Sequence, residues 1–232
     1  MSQNKNGLLV FGAHPDDVEF GCGGIVALEI QRRPVHLVVC SLGEAGTRGT
    51  PEIRRGEAEK AAQILGATLE FIDLVGDGHI EVTAANSMVV AGLIRRVQPA
   101  LVLAPTLAEN QHPDHCRVGK IVRDAARVAR YGGLEELKNL PIHAIQALFY
   151  YAITASAEPP ILVDVSSVVE TWTASMQAHA SQLAGRPYVE LALTRSHLLG
   201  MAAGVEYAIG LYPNDPVLIS ELSQVGRSAR TF

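Results

Sequence analysis

The chain has 232 residues, 48% of them hydrophobic and 19% charged, with a formal net charge of -5. This composition excludes a disordered chain, and the negative charge gives no ground for binding nucleic acid or an anionic membrane. No apolar run reaches the ~18 residues of a membrane span, so neither nucleic acid nor membrane is expected as a partner.

The length suits one α/β domain over residues 1–232 with a sizeable core. The N-terminal residues lack the apolar stretch of a signal peptide. Three cysteines, Cys22, Cys40 and Cys116, form no CxxC pair, which fits a reducing cytoplasm.

In chain order, residues 7–13 read as a buried strand and 18–33 as a helix, despite Gly21-Cys22-Gly23-Gly24 near its start. Residues 35–40 form a second strand, and the loop 41–50 is rich in turn residues. Pro51 opens a helix over 52–65 in the first-turn position that suits proline, and Gly66 ends it. A third strand over 68–72 leads into the loop Val75-Gly-Asp-Gly-His79 and a helix over 84–98. The strand 100–104 is followed by a helix over 117–131, which Gly132-Gly133 stops. Strands are expected at 147–152 and 161–165, and helices at 166–183 and 188–203, joined at Gly185-Arg186-Pro187. Alternation of strand and helix predicts a doubly wound, mostly parallel, Rossmann-like sheet with helices on both faces.

Two polar turns follow apolar runs: Ala13-His14-Pro15-Asp16-Asp17 and His112-Pro113-Asp114-His115. Open α/β sheets place ligands beyond the carboxyl ends of their strands, so the two turns suggest one site. A catalytic zinc uses three ligands of the His and carboxylate type and keeps a position for water. His14, Asp17 and His115 supply such a set. Asp16, between two ligands but pointing elsewhere, suits a general base for a water acidified by the metal. Asp114 is placed to hold His112 in one tautomer and favour its protonated form, for donation to an oxyanion or a leaving amine. The other histidines, His36, His79, His143, His179 and His197, read as structural or surface residues, with His79 the nearest to a pocket position.

The paired motifs resemble the LmbE-like, or PIG-L, family of zinc-dependent N-deacetylases, which act on N-acetylglucosamine units. Gly43-Glu-Ala-Gly-Thr-Arg-Gly-Thr50, Glu52-Ile-Arg54, Glu57-Ala58, Val163-Asp-Val-Ser-Ser167 and Gly204-Val-Glu-Tyr207 are most similar to the bacillithiol biosynthesis deacetylases, whose substrate is N-acetylglucosaminyl-malate. Trp172-Thr-Ala-Ser-Met-Gln departs from the more basic helix of that subgroup. The resemblance implies His14, Asp17 and His115 as ligands of Zn2+ or another divalent metal such as Fe2+. It implies Asp16 as base and His112 as the electrophilic or acid group. It also implies Arg54 and Asp77 as substrate contacts, and a homo-oligomer, trimer or hexamer. Alternative readings are another amidase of the family, acting on a mycothiol-type conjugate, a chitin oligosaccharide, an antibiotic sugar or a lipid-linked sugar. A non-haem iron enzyme with the same ligand set and a non-catalytic metal or sugar binder are further alternatives. Neither an oxygenase nor a binder has a use for Asp16.

Overall fold

The computed structural model describes residues 6–109, 112–154 and 158–229. The elements are β1 (Leu8–Gly12), α1 (Asp17–Glu29), β2 (Val35–Val39), α2 (Pro51–Leu65), β3 (Thr68–Phe71), α3 (Ala84–Val97) and β4 (Leu101–Pro105). They continue with α4 (Pro113–Val128), β5 (Ala147–Tyr151), β6 (Ile161–Asp164), α5 (Val169–Gln177), α6 (Ala180–Leu183), α7 (Tyr188–Ala203) and β7 (Ala208–Pro213).

The strands form one sheet in the order β3-β2-β1-β4-β5-β7-β6. β1 to β5 are parallel, while β7 runs antiparallel to both β5 and β6. β1 is covered on both faces, as a near-continuous apolar run in a parallel sheet requires. Its side chains alternate between two cores. Leu8 and Val10 pack with α1, α2, α5 and α7, whereas Leu9 and Phe11 pack with α3 and α4. The chain winds outward from β1 through β2 to β3, then returns to β4 on the other side. The crevice of a doubly wound sheet opens at such a reversal, and both His-Pro-Asp motifs leave the sheet there.

Local signals explain most boundaries. In α2, Thr50 caps by accepting from Ile53 N, Pro51 is the first helical residue, and Gly66 closes the helix in the left-handed region. Three expectations are corrected. α4 starts at Pro113 and not at 117, because His112 acts as its cap and Pro113 fills the first-turn position. The helix expected over 166–183 is broken into α5 and α6, because His179 leaves helical geometry at φ -83°, ψ 54° to bury its ring. β7 has no counterpart among the predicted strands. Its Gly210 and Pro213 are both poor strand formers, and its pairing with β5 and β6 decides the matter.

Arg95 is only 1% exposed. It donates to the carbonyls of Ala129, Leu137, Leu140 and Tyr131, gathering the end of α4 and the segment after it onto α3. Unsatisfied buried polar groups cost ~1–3 kcal/mol each. Arg95→Met is therefore expected to lower stability by more than ~2 kcal/mol, measured by urea unfolding; an unchanged midpoint would contradict this account.

Candidate metal centre and active site

Beyond β1 the chain turns so tightly that Asp17 Oδ2 accepts from two backbone donors, Ala13 N at 2.8 Å and His14 N at 2.9 Å. That leaves Oδ1 free, and His115 Nε2 stands 3.1 Å from it. His115 is carried there by the first turn of α4. His14 Nδ1 lies 3.6 Å from Asp17 Oδ2. The three side chains are buried, and one ligand atom from each lies within 4.8 Å of the others.

The donor set fits a divalent cation. Four carboxylates, those of Asp16, Asp17, Asp77 and Asp114, converge on this small volume. Arginines pair with two of them, Arg54 with Asp16 at 3.6 Å and Arg117 with Asp114 at 3.2 Å. Asp17 and Asp77 face imidazoles instead. Burial by itself would raise Asp17, yet His115 and His14 overcome it and hold the carboxyl well below its usual range. Burial likewise opposes a proton on His14, but Asp17, Asp114 and Asp77 raise its pKa well above normal. The negative potential that holds a proton on His14 also favours a cation at this point.

A second layer backs the first. His14 Nε2 is 3.0 Å from Asp77 Oδ1 and 3.5 Å from Asp114 Oδ2. This is the carboxylate–histidine arrangement that orients a metal-ligating ring. His14, Asp77, His112 and Asp114 also form a second close group of donors, and that outer role accounts for it. Asp114 is itself fixed by Gly78 N at 2.7 Å and by Arg117. Asp77 accepts from Ala45 N at 3.2 Å, while Glu44 receives Asp77 N at 2.7 Å. The two loops that follow β2 and β3 are thereby clasped to each other. Glu44 and Arg117 were not singled out from sequence; Glu44 lies in the noted Gly/Thr loop, and Arg117 is one turn past Asp114.

His112 is the half-exposed member, 42% open at its side chain. Its Nδ1 accepts from Asp114 N at 3.3 Å, so the neutral ring carries its proton on Nε2. Asp114 thus selects the tautomer through its backbone, since its carboxylate is 3.9 Å from Nδ1. The expected preference for the protonated form is corrected. Burial and the repulsion of His14 lower the pKa of His112, outweighing Asp114.

Asp16 sits at φ 118°, a left-handed conformation unusual for a residue with a side chain. Its side chain is 18% exposed, so it reaches the crevice without closing it. Burial and repulsion from Asp17 raise its pKa, His179, Arg54 and His14 pull it back, and the result is about 6. That suits a group that takes up and returns a proton near neutral pH.

Arg54 and Asp77 reach the site and bond mainly to the chain itself, with Arg54 Nε left buried without a partner. Arg54 is 5% exposed, and it donates to Gly43 O at 3.0 Å and Pro15 O at 2.9 Å. Asp77 is 6% exposed, with one oxygen on His14 and the other on Ala45 N.

Comparison with known proteins gives a consistent picture. A curated 4-oxalmesaconate hydratase from Pseudomonas putida is 28% identical over 199 residues, covering 78% of this chain and 76% of that protein. The crystal structure of a conserved protein from Thermus thermophilus superposes with TM-score 0.82 at 31% identity, covering 91% of this chain and 96% of the other. The N,N'-diacetylchitobiose deacetylase of Pyrococcus horikoshii shares the fold with TM-score 0.81 at 22% identity, over 90% of this chain and 83% of the other. The family model for PIG-L, described as GlcNAc-PI de-N-acetylase, matches residues 9–126, a stretch that runs from β1 into α4 and contains both His-Pro-Asp motifs. The chain belongs to the PIG-L family.

Proposed function

We propose that this protein is a divalent-metal-dependent hydrolase that removes the acetyl group from an N-acetylglucosamine-containing small molecule. The observation that carries this reading is Asp16. It is a carboxylate beside a metal-ligand residue, itself outside the ligand set, held open to the crevice with a pKa of about 6. His14, Asp17 and His115 are the residues that would hold the ion, and zinc is the metal that best suits two imidazoles and one carboxylate. When bound, such an ion lowers the pKa of water and polarises a carbonyl.

The chain's own groups supply the rest. Asp16 takes the proton of the water that attacks the acetyl carbon. It returns that proton to the sugar nitrogen as the C–N bond breaks, giving acetate and the free amine. His112, neutral and protonated on Nε2, donates a hydrogen bond to the carbonyl oxygen as negative charge grows on it. Asp77 and Asp114 hold His14 and His112 in orientation, and Arg54 fixes the Gly43 loop and the Pro15 carbonyl next to Asp16.

N-acetylglucosaminyl-malate is proposed as the substrate on the strength of the sequence stretches around Gly43–Thr50, Glu52–Arg54 and Gly204–Tyr207. Arg54 lends that choice no separate support, because its guanidinium is committed to two carbonyls. A hydratase reading is supported by the 28% identity to the 4-oxalmesaconate hydratase. Both substrates are polyanions, so the carboxylates of the crevice do not separate the two readings; acetate release and hydration, measured side by side, do.

The proposed location is cytoplasmic, in keeping with three buried free thiols. Among the described residues no helix is long and apolar enough to cross a membrane. A homo-oligomer, trimer or hexamer, is supported by the exposed stripe of Leu191, Leu198 and Met201 on α7, each more than half open to solvent.

Three outcomes are expected. His115→Ala and Asp17→Asn lose most bound metal by elemental analysis, and activity falls with it; full occupancy in either variant would remove that residue from the ligand set. Asp16→Asn keeps its metal while kcat falls by at least ~10²-fold, the usual contribution of a general base, in an acetate-release assay. Arg54→Met lowers kcat by similar factors on N-acetylglucosaminyl-malate and on plain N-acetylglucosamine. A loss confined to the malate conjugate would restore Arg54 as an anion contact. Wild-type protein that hydrates 4-oxalmesaconate and releases no acetate from any N-acetylglucosaminide would replace the deacetylase reading with the hydratase one.

A further inference from the structure

The sequence alone gives His179 no role at the site, in common with four other histidines. The structure places it at the break between α5 and α6, fully buried at 0% exposure. Its Nε2 is 3.3 Å from Glu19 Oε2. Both ring nitrogens are buried and neither makes a well-aligned hydrogen bond, so the contact with Glu19 is an ion pair. Glu19 is 4% exposed and lies in the first turn of α1, three residues after Asp16. An ion pair so deep in a protein contributes little to stability, because desolvation offsets its attraction, and well-packed apolar residues would serve as well or better. Something other than stability is needed to account for it.

We propose that His179 is a positioning residue for the reaction: with Glu19 it braces the first turn of α1 from inside the protein and holds Asp16 in place at the crevice. The proposal rests on the hydrolase reading, in which Asp16 is the base. Asp16 needs such a brace. Its φ of 118° stores strain of the order of ~1–3 kcal/mol, which persists only where the surroundings over-determine it. The turn has no side-chain cap of its own.

The corner that carries His179 reaches the other site-forming elements in the same way. Ser181 gives its N and its Oγ to the two carboxylate oxygens of Glu57 on α2, each at 2.7 Å. Gln182 Nε2 donates to Arg48 O at 2.9 Å, in the loop whose Gly43 carbonyl Arg54 holds. Three residues within a stretch of four, His179, Ser181 and Gln182, therefore tie α1, α2 and the loop after β2 to one point. Electrostatics agree with the geometry: burial opposes a charge on His179, but Glu19 raises its pKa above normal.

The test compares His179→Gln, His179→Asn and His179→Ala. The Gln amide reaches the place of Nε2 and keeps a polar nitrogen facing Glu19, whereas Asn reaches only the place of Nδ1. With an acetamido sugar that the wild type turns over, Ala and Asn are expected to lose about tenfold or more in kcat, since misplacements of ~1 Å cost up to ~10²-fold. KM should stay within twofold and metal content at the wild-type level, and Gln should recover most of kcat. Tm falls in Asn and Ala alike, because both leave the carboxylate of Glu19 buried without its partner. Full turnover by Ala, or a loss in Gln as large as in Ala, overturns the brace and leaves the deacetylase reading intact. If the wild type releases no acetate, that reading fails by itself. The brace is then decided by amide exchange at residues 17–21 of the metal-loaded protein: faster exchange in Asn and Ala than in Gln supports it, and equal rates in all three overturn it.

Discussion

The carboxylate of Asp17 is the contact on which the rest of the site depends. One oxygen folds the turn after β1 by accepting from Ala13 N and His14 N. The other faces His115 from a different element, almost a hundred residues on. A single side chain thus ends a strand, starts a helix and joins the two halves of the crevice. The tightness of that turn also explains its neighbour. With Asp17 turned back onto the chain, the preceding residue is driven to positive φ, and Asp16 projects into the crevice instead of capping α1.

Charge balance sets the second layer. Buried carboxylates are tolerated only where cations or donors meet them. Here the partners are two arginines, the imidazoles of His14 and His115, and the backbone N–H groups of Ala45 and Gly78. Each of these partners comes from a loop or helix end at the carboxyl edge of the sheet. Loops that would otherwise be free to move are therefore held by the same charges that prepare the ligand set. Arg54 and Asp77 belong to this scaffold, both buried with bonds to the chain's own groups.

Much of this was legible in the sequence because it is local. A His and two carboxylates at the end of an apolar run, and a His-Pro-Asp-His set at the end of another, declare both their chemistry and their position. The α/β alternation declared a doubly wound, mostly parallel sheet, whereas the strand order came only with the structure. What stayed hidden depends on tertiary partners. His179 sits in a stretch with ordinary helical composition, yet the helix breaks there, where its ring is buried beside Glu19. Arg54 carries no local mark of burial, because its partners, Pro15 O and Gly43 O, lie 39 and 11 residues away. The proton of His112 is placed by a backbone N–H, which no side-chain pattern announces.

The family match ends at residue 126, yet the first helix depends on residues far beyond it. α1 is kinked at Cys22, whose φ of -147° lies outside the helical region. A kink frees carbonyls that a regular helix would bond internally. Trp172 donates to Glu19 O at 2.7 Å and Arg195 to Phe20 O at 3.1 Å, and Tyr151 holds Phe11 O at 2.7 Å in β1. The glycines permit this approach: a Cβ on Gly21 would lie 2.3 Å from the Tyr151 ring, and one on Gly23 would lie 2.8 Å from Trp172. The run Gly21-Cys22-Gly23-Gly24, unfavourable for a helix taken alone, is what lets the C-terminal half take hold of the helix that begins at the candidate metal centre. The irregularity of the first helix and the less regular C-terminal half are one adaptation: the second supplies the hydrogen bonds that the first leaves open, and the position of Asp16 follows from both.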